Sequence, residues 1–356
     1  MIKVLLDFGN AGPTTGTGVY GRGLLNGLRT YCSERCEARE AGLSSVSTTL
    51  RPLRRLLYLS RLRDLRRKGF NGADVVHFTN VYAPARQSGV AYVVTIHDLD
   101  AILFPEVYTD RYTLYYSRSV TSSMERAHVV FTDTAAVRRM MLERYPVAPE
   151  RVKVVGVGMS PGFMEAVDRR PVVQESRTPE LLFVGRLEMK KNLEWLVETV
   201  GHGITIGALP RLHLVLAGGR GYGFPVIARA VKRNAEHVTW VNTPSVDALA
   251  DCYARSDVVI LPSRCEGFGI PLVEAMYCRK PIVASRIPTS LEVTGGAAHF
   301  FDLDNADELY HALTEALAHR EVDDHRAVYA QRLETYSWSA ISREAAAAYV
   351  GAIDQV

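Results

Sequence analysis

The chain has 356 residues, enough for two domains of ordinary size, and its 47% hydrophobic and 23% charged residues suit a globular protein, not a disordered or fibrous one. A formal net charge of +3 is too small to point to nucleic acid, and no apolar run approaches the roughly 18 to 20 residues of a membrane span. The five cysteines (Cys32, Cys36, Cys252, Cys265, Cys278) are odd in number and lack metal-ligand spacing, so reduced thiols and no metal are expected. Met1 leads straight into a strand without a signal-peptide pattern, and a cytoplasmic protein is the expectation.

Ile2 to Phe8 reads as a buried strand followed by a glycine-rich loop, Gly9 to Gly21. Gly16, Gly18 and Gly21 spell a literal G-x-G-x-x-G. A dinucleotide fingerprint needs its first glycine in the turn directly after the strand, and Gly16 lies several residues past Phe8. Glu37 and Glu40, near the expected ribose position, follow a polar cysteine-containing stretch and are not expected to close a second strand. The fingerprint is therefore rejected. Arg51 to Lys68 holds eight basic residues and one acid, Asp64, interleaved with leucines. It reads either as a domain helix with its leucines on the core, or as a basic amphipathic patch for anionic membrane headgroups.

Asp74 to Asn80 and Ala91 to Asp98 are further strands that end in polar sets, as are Val129 to Thr134 and Val152 to Gly158. Ligands of open parallel sheets gather at the carboxyl ends of the strands, which puts His77 and His97 on that edge. A lone strand-end histidine is by default a hydrogen-bonded structural residue, and His77 is read so.

Gly162 to Glu180 is polar, proline-punctuated and aperiodic, as expected of an interdomain linker. Leu181 to Gly185 starts a second parallel-sheet pattern, with Arg186 and Lys191 flanking its strand-to-helix loop. Further strands are Leu212 to Ala217 and His237 to Thr243, with helices at Asp307 to Leu317 and Trp338 to Ile353. The run Asp257 to Met276 is the densest in signals. The apolar strand Val258 to Leu261 meets the turn Gly267-Phe268-Gly269, and Pro271 is expected at the first position of a helix with Glu274 in its first turn. Such a helix start is an anion cradle, here flanked by two carboxylates, Glu266 and Glu274. That combination suits a ligand with both phosphates and hydroxyls, as a nucleotide-sugar has.

Glu266-Gly-Phe-Gly-Ile-Pro-Leu-Val-Glu274-Ala-Met resembles the E-x7-E signature of the retaining family 4 glycosyltransferases, whose fold is called GT-B. Val184-Gly-Arg186-Leu followed by Lys191-Asn192 is similar to the family's diphosphate loop. Thr95-Ile-His97-Asp98-Leu with Phe104-Pro105-Glu106 is similar to a segment whose histidine lies beside the donor sugar, and Thr15 to Gly18 resembles the glycine loop between the first strand and first helix. The resemblance implies an α/β protein of two Rossmann-like parallel-sheet domains facing across a cleft. They would span 1–165, acceptor-side and completed by the 338–356 helix crossing back, and 166–337, donor-binding. It implies that Glu266 contacts the donor hexose, Glu274 the ribose, and Arg186 and Lys191 the diphosphate, with His97 beside the sugar. Gly16, Gly18, Gly267, Phe268, Gly269, Ile270 and Leu272 complete the implied donor site. The family's glycine at Arg279 is missing, so a different turn is expected before Pro281, and Val157 replaces an amide near Gly158. The implied activity is metal- and cofactor-independent, retaining transfer of a hexose from a nucleoside-diphosphate sugar to a hydroxyl of a glycan, lipid-linked or small-molecule acceptor. The His97 segment tilts the donor toward GDP-mannose over UDP- or dTDP-sugars and the setting toward surface polysaccharide. A silent sugar-nucleotide binding protein, a phosphorylase or an epimerase are the alternatives.

Overall fold

The apolar runs become parallel strands that collect into two separate sheets, each in its own compact unit. The computed structural model describes residues 1–9, 16–41, 51–170, 178–242, 244–318 and 325–356, without the side chains of 51–56 and 61. Thr15, the stretch 171–177 of the expected linker and Thr243 lie outside the described residues. One unit comprises Met1–Pro105, Thr109–Gly158 and Thr335–Val356, and the other Glu106–Tyr108 and Met159–Glu334.

In the first unit the chain runs β1 (Ile2–Asp7), α1 (Gly16–Tyr31), β2 (Cys36–Glu40), α2 (Arg51–Arg67), β3 (Val75–Phe78), β4 (Ala91–Thr95), α3 (Asp100–Leu103), α4 (Asp110–Arg126), β5 (Val129–Thr132), α5 (Ala135–Arg144) and β6 (Val152–Val154). The sheet order is β2-β1-β3-β4-β5-β6, parallel throughout. Glu37 and Glu40 do lie in a second strand, contrary to expectation. β2 buries only Cys36 and Ala38, so its apolar alternation is two residues long and easily missed. Gly16 and Gly18 are the first turn of α1, not a loop. Packing explains the third glycine of the literal fingerprint and a further one along the helix. A Cβ on Gly21 would lie 2.6 Å from the Phe8 ring, and one on Gly23 would lie 1.9 Å from the Trp338 ring. α1 can approach its neighbours only where side chains are missing.

In the second unit α6 (Pro161–Asp168) precedes β7 (Glu180–Val184), α7 (Leu193–Thr205), β8 (His213–Ala217), α8 (Phe224–Arg233), β9 (Val238–Val241), α9 (Val246–Arg255), β10 (Val258–Leu261), α10 (Ile270–Tyr277), β11 (Ile282–Ser285), α11 (Pro288–Thr294), β12 (His299–Phe301), α12 (Ala306–Ala318) and α13 (Arg326–Thr335). The order is β12-β11-β10-β7-β8-β9, again all parallel. The expected linker therefore begins as helix α6, which buries Phe163 and Ala166. α14 (Trp338–Ile353) returns to the first unit and packs on α1 and on β3 to β5. There Tyr349 Oη lies 2.7 Å from His77 Nδ1, and His77 Nε2 lies 2.7 Å from Thr95 Oγ1. Burial pushes His77 down to about 3, so this structural histidine is neutral.

Two local expectations need correction. The helix with the second glutamate begins at Ile270, so Pro271 is its second residue and Glu274 lies beyond the first turn. The turn before Pro281 is not altered by the missing glycine. Arg279 itself adopts φ 54°, its N–H bonds Met276 O at 3.1 Å, and Lys280 N–H bonds Ala275 O at 2.9 Å. That is a Schellman cap built on an arginine. The basic segment is helix α2, which buries Tyr58, Leu62 and Leu65 as a domain helix does and leaves Leu57 and Leu59 exposed. Among the described residues, no helix is long and apolar enough to cross a membrane.

Candidate active site

In the second unit the chain steps outward from β7 through β8 to β9, then restarts on the other side of β7 with β10. This reversal makes the carboxyl ends of β7 and β10 the switch point at which open α/β sheets hold ligands. The loop after β7 carries Arg186 and Lys191, and the loop after β10 carries Glu266.

Lys191 Nζ and Glu266 Oε1 form an ion pair, with side chains only 12% and 7% exposed. Ser263 Oγ donates to the same Oε1 at 2.6 Å, and Thr289 Oγ1 donates to the Glu266 carbonyl at 2.8 Å. Burial alone would raise the Glu266 pKa. The ammonium groups of Lys191 and Lys190, with the Lys191 and Ser263 hydrogen bonds, outweigh it and hold the carboxyl below its ordinary range. Removing one partner of such a buried pair costs about 3–5 kcal/mol. The two loops are also tied side by side. Arg264 reaches Asp304 through both NH groups at 2.9 Å and Asn192 Oδ1 at 2.9 Å, and its N–H bonds Lys190 O at 2.8 Å.

Arg186 is not in the same position as Lys191. Its side chain is 61% exposed and pairs with Glu188 at 3.1 Å, so Arg186 and Lys191 pair with different carboxylates. Gly218, after β8, approaches Gly185 so closely that a Cβ there would lie 1.9 Å from Gly185 O. With φ 154° it has a backbone that only glycine adopts readily.

The turn before α10 supplies the helix start. Gly269 is the N-cap at φ 90°, and the N–H groups of Gly269 and Ile270 have no acceptor among the described residues. Gly267 and Phe268 are buried beside them. Leu272 departs from the donor-site expectation. Its side chain is wholly buried in the core, and its N–H bonds Gly269 O at 2.9 Å, so neither is offered to a ligand. Glu274 is buried and accepts from Tyr253 Oη at 2.8 Å. Burial pushes its pKa up to about 7, against the lowering effect of that hydrogen bond. Cys278 is a close titratable neighbour, itself pushed up to about 12 by burial and then by Glu274.

In the first unit His97 follows β4, with both ring nitrogens facing acceptors. Nδ1 lies 2.8 Å from Asp133 Oδ2 and Nε2 lies 3.3 Å from Thr79 O. Burial pulls the His97 pKa down, but the charge and hydrogen bond of Asp133, with Asp98 and the Thr79 carbonyl, raise it overall. Asp133 is 4% exposed, and its Oδ1 has no partner among the described residues. The Tyr20 ring meets His97 edge-on at 4.9 Å. Thr134 accepts from Val137 N–H as the N-cap of α5. Gly16 is exposed and Gly18 buried at the start of α1.

Sequence reasoning missed the groups that hold these side chains, namely Ser263, Tyr253 and Asp133. Ser263 and Asp133 had a signal, their place at the end of an apolar strand, and Tyr253 had none. It also missed Asp7, buried at the carboxyl end of β1 and pushed up to about 6 by burial. Asp7 accepts from Tyr58 Oη at 2.6 Å and from Gly9 N–H at 2.8 Å.

The sequence model of Glycosyl transferases group 1 matches residues 165–333, and that of Glycosyltransferase Family 4 matches residues 30–162. O-antigen chain mannosyltransferase B of Escherichia coli is 25% identical over 287 residues, covering 77% of this chain and 74% of that one. Among solved structures, sucrose-phosphate synthase (tll1590) from Thermosynechococcus elongatus is similar with a TM-score of 0.75 at 17% identity, over 100% of both chains. Anabaena Alr3699/HepE in complex with UDP-glucose is similar with a TM-score of 0.70 at 16% identity, also over 100% of both chains. At these identities the structural likeness is one of fold. The two sequence models together take in most of the chain, which therefore belongs to the family 4 glycosyltransferases of Glycosyl transferases group 1, with the GT-B fold.

Proposed function

We propose that the chain is a retaining hexosyltransferase that uses a nucleoside-diphosphate sugar, with GDP-mannose the favoured donor and a hydroxyl of a surface-polysaccharide intermediate as acceptor. The observation that carries this reading is the meeting of Lys191 and Glu266 at the β7–β10 switch point, one loop away from the free N–H groups of Gly269 and Ile270. The mannosyltransferase relative supports mannose, and the UDP-glucose held by a structural neighbour supports a sugar nucleotide in general.

In this reading Lys191 and the Gly269 and Ile270 N–H groups face the β-phosphate, whose negative charge grows as the glycosidic bond breaks. Preorganised donors aimed at developing charge act most strongly in the transition state. Removing one such donor costs on the order of 10²–10³ in rate. Glu266 accepts from hexose hydroxyls and Glu274 from the ribose hydroxyls, as charge-assisted hydrogen bonds. No side chain needs to attack the sugar, because the leaving phosphate takes the acceptor proton on the same face. Lys191 and these N–H groups stand in for a metal ion, so activity is expected to survive excess chelator.

A thermal-shift panel of GDP, UDP and dTDP, followed by transfer assays with the matching sugars, tests the proposal, since a ligand bound to the native state raises apparent stability. The expected result is a shift with GDP and transfer with retained anomeric configuration, unchanged by EDTA. Absence of a shift with every nucleotide would remove the donor assignment, and loss of turnover in EDTA restored by magnesium would remove the metal-independent one.

A further inference from the structure

The Lys191–Glu266 pair has a one-sided geometry. Lys191 Nζ and Ser263 Oγ both donate to Oε1 of Glu266, and no donor to Oε2 is found among the described residues. The carboxylate thus holds the lysine with one oxygen, while the other has no donor among the described residues. The lysine and the carboxylate come from different loops, bridged by Arg264, Asn192 and Asp304, so the pair is held in register and does not form by chance contact of long side chains.

We propose that Glu266 makes the site discriminate an intact sugar nucleotide from a bare nucleoside diphosphate, by holding Lys191 until a hexose supplies the carboxylate with replacement donors. The inference rests on the reading above, in which Lys191 meets the diphosphate and Glu266 the hexose. A bare nucleoside diphosphate offers oxygens to Lys191 but nothing to Glu266. Drawing the ammonium toward the phosphate then leaves a nearly buried carboxylate with Ser263 as its one hydrogen-bond donor among the described residues and only the more distant charge of Lys190, and an under-paired buried charge is costly. A sugar nucleotide offers both halves of the exchange. Its phosphate takes the lysine while its hexose hydroxyls donate to Glu266, beginning at Oε2. Once the hexose has been transferred those donors leave with it, Glu266 reclaims Lys191, and the product nucleotide is weakened relative to the substrate. The same pair therefore lowers product inhibition and selects for the loaded donor.

Calorimetric titration of GDP and GDP-mannose into the wild type, Glu266→Gln, Lys191→Ala and the double variant tests this, with UDP and UDP-glucose used instead should the nucleotide panel select uridine. Glutamine keeps the shape and the acceptor for Ser263 but releases the lysine. Glu266→Gln is expected to tighten GDP by roughly tenfold, as close charge pairs do on release, while GDP-mannose gains little or weakens. In the Lys191→Ala background the same substitution is expected to give no gain, because there is no lysine to release. A gain that persists there is plain removal of negative charge near an anion, and overturns the proposal. If Lys191→Ala weakens GDP yet Glu266→Gln does not tighten it, the site reading stands and the discrimination by Glu266 falls. If Lys191→Ala leaves GDP binding unchanged, the lysine is not at the diphosphate, and the reading and the inference fall together. Circular dichroism checks each fold, and Lys191→Met, which keeps the packing of the aliphatic stem, serves where alanine does not fold.

Discussion

At the scale of single residues, the side chains that matter are held by partners remote in sequence. Tyr253 on α9 holds Glu274 on α10, and its hydroxyl opposes the burial that pushes the carboxyl up to about 7. The folded pKa is raised above the ordinary value of 4.5, so this group's contribution to stability is present below about pH 4.5 and is lost as pH rises through about 7. Ribose hydroxyls need the ionised acceptor, so nucleoside diphosphate binding should strengthen as pH rises through the same point. Tyr253→Phe removes the lowering effect. Its binding curve, measured by calorimetry between about pH 6 and pH 9, should move to higher pH. A uniform change in affinity without displacement would make Tyr253 a packing residue only. Asp133→Asn should similarly lower the His97 pKa, followed by the imidazole proton shifts in NMR, since the carboxylate charge that offsets burial is gone. An unmoved titration would show that Asp133 does not act on His97.

At the scale of elements, the loops and caps decide where those side chains arrive. The C-cap of α10 places Arg279 in the left-handed region, where a side chain costs roughly 1–2 kcal/mol and glycine costs none. Arg279 is exposed, so its removal breaks no core contact. Glycine gives back roughly 0.5–1 kcal/mol through the flexibility of the unfolded chain. Arg279→Gly should therefore stabilise by about 0.5–1 kcal/mol, read as a higher urea midpoint at unchanged slope. A lower midpoint would mean that the arginine side chain makes a contribution of its own.

At the scale of the whole molecule, both units repeat one plan. Six parallel strands reverse direction of growth at the first strand of the unit, and a polar set stands at the carboxyl ends there. Much of this was legible in the sequence. Val258 to Leu261 and Leu181 to Val184 are apolar on every residue because helices cover both faces of a parallel sheet, and Pro271 after two glycines marked the start of α10. Strand β2 was not legible, since as an edge strand it buries just two of its five residues. Helix α6 was hidden in a stretch rich in polar and proline residues, where two buried apolar side chains, Phe163 and Ala166, suffice to pack it. The family motifs named Lys191 and Glu266 separately. Their pairing was out of reach, because strand order is a matter of hydrogen bonding across 75 residues of chain and leaves no local pattern.

The central claim is that the carboxyl edge of the second sheet binds a nucleoside diphosphate, with Glu274 on its ribose. Calorimetric titration of GDP into the wild type and into folded Glu274→Ala, at a pH above 7 where the carboxylate is ionised, tests it most directly. The account predicts that the alanine variant binds on the order of ten- to a hundredfold more weakly, the loss expected for a charge-assisted contact to two hydroxyls. Equal affinity in the two proteins would contradict it.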